Sequence, residues 1–149
     1  MRGFLSALAV CLFTWSMPVQ AMAPAGSSNV ELAEVREMIK AGQAEEAIQK
    51  LWKYVDTNPE DADGYNLLGF GYRKNGQFDL SKKAYDRALG LDPKHKEAHE
   101  YLGELYLQTG QLEKAEAVLV ELGQICGLEG CEEYEELKEA IADYKEGKK

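Results

Sequence analysis

The sequence predicts an all-α solenoid of three helix-turn-helix units followed by a C-terminal capping helix. Three observations lead there. The pairs Gly42-Gln43, Gly76-Gln77 and Gly110-Gln111 recur at intervals of 34 residues, a period typical of stacked helix pairs. Apolar residues recur at helical spacing, as in Leu67, Leu68 and Tyr72, then Leu102, Leu105 and Tyr106. No segment reads as a strand.

The first element stands outside the repeats. Arg2 precedes an uncharged apolar run over residues 4–15, and Val19-Gln20-Ala21 is a small-x-small cleavage pattern. Residues 1–21 therefore read as a secretory signal cleaved after Ala21, followed by a short flexible linker at 22–27. Retention as a membrane anchor is the alternative, although the run is shorter than the roughly 20 residues of a spanning helix. Export, with a bacterial periplasm as the compartment, is the expected location.

Unit one covers residues 28–61, and Ser28-Asn29-Val30-Glu31 forms a capping-box pattern that starts its first helix. Each Gly-Gln pair ends a first helix, because glycine enters the left-handed conformation at little cost. Asn58-Pro59 and Asp92-Pro93 end the second helices of units one and two, since proline disfavours helical backbone in the residue before it. Unit two covers 62–95 and unit three 96–129. Gly69 and Gly103 lie inside helices, where glycine costs about 1 kcal/mol against alanine. They predict that another element approaches closely there. Residues 130–149 hold an amphipathic helix with Tyr134, Leu137, Ile141 and Tyr144 on one face, suited to covering the end of the array.

Aligned on the glycines, unit two reads Tyr65-x-x-Leu68-Gly69-x-x-Tyr72, then Ser81-x-x-x-Tyr85-x-x-Ala88 and Pro93. Unit three reads His99-x-x-Leu102-Gly103-x-x-Tyr106, then Ala115-x-x-x-Leu119-x-x-Leu122. Unit one keeps the second half, Ala47-x-x-x-Leu51-x-x-Tyr54 and Pro59. This pattern resembles the tetratricopeptide repeat (TPR) family over about 100 of the 149 residues. Unit one departs from it with Glu34-Val35 in place of Leu-Gly, and unit three with Gly127 in place of proline. The resemblance implies a right-handed superhelical solenoid whose first helices line a concave groove for a peptide or a partner's helix. Carried onto this chain, the groove positions are Arg36, Phe70 and Glu104. Leu32 and Lys40 join them with Asn29 in unit one, Asn66, Arg73 and Lys74 in unit two, and Glu97, Glu100 and Gln108 in unit three. The groove should run from basic in units one and two to acidic in unit three, which suits an extended, charge-asymmetric peptide. The register Arg36, Phe70, Glu104 does not suit a clamp for a C-terminal carboxylate.

Charge and cysteines limit the function further. The chain carries a net charge of −9, and losing the signal's single arginine makes it −10. Such acidity disfavours nucleic acid and anionic membrane surfaces as partners. Cys11 leaves with the signal, so Cys126 and Cys131 remain, and in an oxidising compartment a close pair is most simply a disulfide. A redox-active or metal-binding pair is the alternative, but the four-residue spacer is not Cys-x-x-Cys and no βαβ pattern surrounds it. His95 and His99 are four apart, yet one lies in a turn and the other takes the aromatic core position of Tyr65. Trp52 lies off the regular core positions, either under the N-terminal segment or exposed as an anchor for a partner. No catalytic constellation, phosphate loop or cofactor motif emerges. The expected function is a non-enzymatic adaptor for another exported or membrane-associated protein. The alternatives are a thiol-redox accessory acting through Cys126 and Cys131, or a structural subunit that self-associates through its terminal helix.

Overall fold

The computed structural model describes residues 26–147, so the signal, Ala21 and Cys11 lie outside the described residues. Three helix pairs follow in order: α1 (Gly26–Lys40) with α2 (Ala44–Thr57), α3 (Ala62–Lys74) with α4 (Phe78–Leu91), and α5 (Lys96–Gln108) with α6 (Leu112–Cys126). A short 3-10 turn over Gly127–Glu129 leads into α7 (Glu132–Lys145). The solenoid is all-α, as the 34-residue period requires. α1 starts at Gly26, ahead of the Ser28 start that the capping box predicts and inside the expected linker.

The Gly-Gln pairs build the same corner three times. Gly42, Gly76 and Gly110 have φ of 85°, 73° and 74°. Their N–H groups donate to Ile39, Arg73 and Leu107, while the following glutamine N–H groups reach back to Met38, Tyr72 and Tyr106 at 2.8–2.9 Å. This is the Schellman arrangement, which satisfies carbonyls that a helix end would otherwise leave unpaired. Second helices stop as the prolines dictate, with Asn58 and Asp92 as the capping residues of α2 and α4. Asp61 starts α3 by accepting from the N–H groups of Asp63 and Gly64, and it also receives the Tyr54 hydroxyl. The residue 34 further on, His95, starts α5 by accepting from Ala98 N–H at 3.2 Å.

The interior glycines mark close approaches. A Cβ on Gly69 would lie 2.5 Å from the Tyr85 ring, and one on Gly103 would lie 2.5 Å from Leu137. Leu137 belongs to α7, which packs on both α5 and α6 where the first helix of a fourth unit would lie. In unit one Val35 replaces the glycine and is itself core, 2% exposed beside Ile39 and Leu51. The buried residues divide into two clusters. One gathers units one and two around Leu51, Leu67 and Tyr72, and the other gathers Tyr85, Leu102, Leu122, Leu137 and Ile141. Tyr101 packs against both clusters.

Candidate functional site

The first helices α1, α3 and α5 face a common cavity of about 500 Å³. Its lining includes Lys40, Phe70, Arg73, Lys74, Glu100 and Glu104, brought together from the three units. Tyr101 and Asn75 line it as well. The floor is the Phe70–Tyr101 pair, stacked with ring centroids 4.9 Å apart. The Arg73 guanidinium lies against both rings, at 5.5 Å and 5.3 Å from their centroids, and forms an ion pair with Glu104. Cation–π contact and the ion pair hold an arginine that is only 4% exposed. The guanidinium also lies by the buried Tyr85 hydroxyl, so Arg73 serves the packing beneath the cavity. Lys74 Nζ also lies 5.5 Å from the Phe70 ring centroid.

The charges of the concave face are cross-linked rather than graded. Arg36 makes a bidentate pair with Glu97 of α5, with Nη2 to Oε2 at 2.8 Å, and reaches the Tyr101 hydroxyl at 3.2 Å. Asn66 Nδ2 donates to the same Glu97 carboxylate at 2.6 Å, and Asn66 is fully buried. The basic-to-acidic gradient expected from the sequence is therefore corrected. Superhelical stacking brings α1 and α3 within reach of α5, so Arg36 and Arg73 spend their charge on Glu97 and Glu104. Arg36 and Asn66 are not among the residues lining the cavity, and Leu32, expected in the groove, is a core residue at 6% exposure. Gln108 is exposed and does not line the cavity, and the side chain of Asn29 lies outside the described residues.

Glu100 carries an unusual proton equilibrium. Burial pushes its carboxyl up to about 9, helped by the neighbouring negative charges of Glu104, Glu136 and Glu97 and by a hydrogen bond with Glu136 of α7. A neutral carboxyl at pH 7 can donate a hydrogen bond where a carboxylate only accepts. Burial likewise raises the Tyr101 hydroxyl, with the charge of Glu97 adding to it.

The other singled-out residues serve the framework. His95 Nε2 meets Asp63 Oδ1 at 2.9 Å while Nδ1 caps α5. Burial opposes its charged form, but the hydrogen bond and charge of Asp63, with Glu97 and Asp92 nearby, raise its pKa. His99 is buried, its Nε2 3.1 Å from the Pro93 carbonyl oxygen. Cys126 and Cys131 close the turn between α6 and α7 with Cα atoms 5.5 Å apart, inside the range a disulfide spans. Trp52 is 53% exposed, with its indole N–H donating to the Tyr72 hydroxyl at 2.7 Å. Sequence reasoning missed Tyr101. Its signal was available: it stands four residues after Glu97 and three before Glu104, on the same helical face as both.

Stacked helix pairs with a lined cavity on their inner face define a helical-repeat solenoid. A tetratricopeptide repeat family model matches residues 71–122. The Sgt2 TPR domain from Aspergillus fumigatus superposes with a TM-score of 0.69 at 18% identity, covering 85% of this chain and 82% of that one. The Yersinia enterocolitica type III secretion chaperone SycD, in complex with a peptide of the translocator YopD, gives 0.67 at 20% identity, covering 82% of this chain and 92% of that one. The first TPR of Spaghetti (RPAP3), bound to the HSP90 peptide SRMEEVD, gives 0.67 at 16% identity over 82% and 93% of the two chains. By sequence, 64 residues are 36% identical to the uncharacterized protein ycf37 of Pyropia yezoensis, spanning 43% of this chain and 36% of that protein. Residues 71–122 thus match the tetratricopeptide repeat family, and the helix pairs on either side share the fold of TPR proteins.

Proposed function

We propose that this chain is an exported, non-enzymatic adaptor that holds an extended peptide segment of another exported or membrane-associated protein on its concave face. The observation that carries this is the cavity shared by the three first helices, with a stacked aromatic floor and the Lys40 and Lys74 side chains in its lining. The floor offers apolar contact, and Lys40 and Lys74 offer charge to an acidic group of the peptide. Two structural relatives hold peptides on the same fold, which supports a peptide as the ligand here. The N-terminal signal pattern supports export, and the same compartment favours a Cys126–Cys131 disulfide that pins α7 to the last repeat.

The test is affinity capture from the exported fraction, followed by titration of the captured partner's binding segment. Lys40→Glu with Lys74→Glu changes two exposed rim charges and leaves the core intact. Binding weakened tenfold or more supports the concave face. Unchanged affinity means the partner binds elsewhere.

A further inference from the structure

Two depressions flank Trp52, which stands as a ridge between them on the first two units. One, of about 170 Å³, runs between α2, α3 and α4 over Leu68, Tyr72 and Ala84, with Leu80 on its edge. The other, of about 440 Å³, lies between α2 and the start of α3, over Val55 and Pro59, and both share the Tyr65 ring. An exposed tryptophan is ordinarily free to turn. Here the 2.7 Å hydrogen bond to the Tyr72 hydroxyl fixes the indole, so a partner meets an anchor already ordered. Leu80, 41% exposed, extends the apolar contact.

The rim gives the occupant its chemistry. Lys83 and Arg87 border the smaller depression and Lys53 the larger, with Asp56 as the one acid in either lining. Lys53 and Lys83 make no ion pair among the described residues. Arg87 lies over the Tyr65 ring at 5.4 Å and donates to the Pro59 carbonyl, which keeps its charge at the cleft. In a chain of net charge −9, a basic rim around an apolar cleft is a local inversion. It selects an acidic partner. The chain's own N-terminal segment does not fit that chemistry, since residues 1–25 contain no Asp or Glu.

We infer that the Trp52 cleft docks an acidic amphipathic segment of a protein partner, which inserts one apolar side chain beside the indole and sets carboxylates against Lys53, Lys83 and Arg87. This surface shares no lining residue with the concave cavity, so an adaptor could hold two segments at once. The decisive probe is a fluorescently labelled 15-residue peptide with a single central leucine and flanking glutamates, titrated against the full chain by anisotropy. Controls replace its glutamates by lysine or its leucine by alanine. The expected result is binding of the acidic leucine peptide alone, weakening as salt rises, and reduced at least about tenfold by Trp52→Ala and by Lys83→Glu with Arg87→Glu. Lys40→Glu with Lys74→Glu should leave this binding unchanged, which separates the surface from the concave face. An unchanged melting curve for Trp52→Ala excludes unfolding as the cause, and Trp52→Phe, which keeps an aromatic ring but drops the indole N–H, should retain part of the affinity. Equal binding of the lysine peptide overturns the inference. So does preferential binding to phosphatidylglycerol vesicles, or a Trp52-dependent dimer in sedimentation.

Discussion

Glu100→Gln tests the groove's electrostatics most directly. In the folded chain this carboxyl is pushed from 4.5 to about 9, whereas in the unfolded chain burial and its acidic neighbours no longer act on it. A raised folded value means that folded Glu100 keeps a proton that the unfolded chain releases. Its contribution to stability is therefore full below pH 4.5 and falls as pH rises towards 9. At pH 7 the unfolded carboxyl lies about 2.5 units above its midpoint, which at 1.36 kcal/mol per unit sets a ceiling of about 3 kcal/mol. Partial solvation around the half-buried Glu104 and the exposed Glu136 reduces this to about 1–2 kcal/mol. Glutamine has the shape of the neutral acid and still donates a hydrogen bond to Glu136, but it cannot ionise. The variant should therefore be more stable than the wild type at pH 7, and more so at pH 9. The two should coincide near pH 4. Chemical denaturation at pH 4, 7 and 9 measures the difference. A gap that does not change with pH, or a variant less stable at pH 7, refutes the buried-acid argument.

Three further outcomes follow from the packing. Gly69→Ala puts a methyl 2.5 Å from the ring of Tyr85, which is fully buried and has nowhere to move, so overpacking outweighs the helix-propensity gain and urea unfolding should show a net loss of about 1–2 kcal/mol. His95→Asn keeps a capping side chain on α5 but removes the ion pair with Asp63. Because His95 is raised when folded, the wild type should exceed this variant most at pH 5–6 and lose the advantage by pH 8, as melting temperatures at the two pH values will show. Cys126→Ser with Cys131→Ser should cost on the order of 2 kcal/mol and abolish any shift on adding reductant; ready exchange with mild dithiol in the wild type would instead favour a redox role.

Much of the fold could be read from spacing, because each repeat writes its own punctuation. Gly76-Gln77 and Asp92-Pro93 set the ends of α3 and α4 through backbone chemistry that acts within a few residues. Gly69 and Gly103 also announced close contacts correctly, although the sequence could not say that α7 supplies Leu137 for the second. The concave face was less legible. Arg36 and Glu97 are 61 residues apart, and their pairing depends on the superhelical stacking of α1 on α3 and α5 rather than on any local pattern. A register argument places side chains on a face, but it does not say which of them consume one another's charge. His95 shows a similar limit from the opposite direction. It occupies the cap position of Asp61 one period later, yet histidine is a rare helix cap and its role emerged only from the Ala98 contact.

Tyr101 has a consequence for cooperativity. Helical arrays unfold as coupled neighbours, and their parts can open separately wherever the coupling between them is thin. One ring here lies against both hydrophobic clusters and also in the wall of the concave cavity. A peptide resting on that ring would press on the joint between the two clusters. Occupancy would then act as a splint, holding the two clusters to a single opening event.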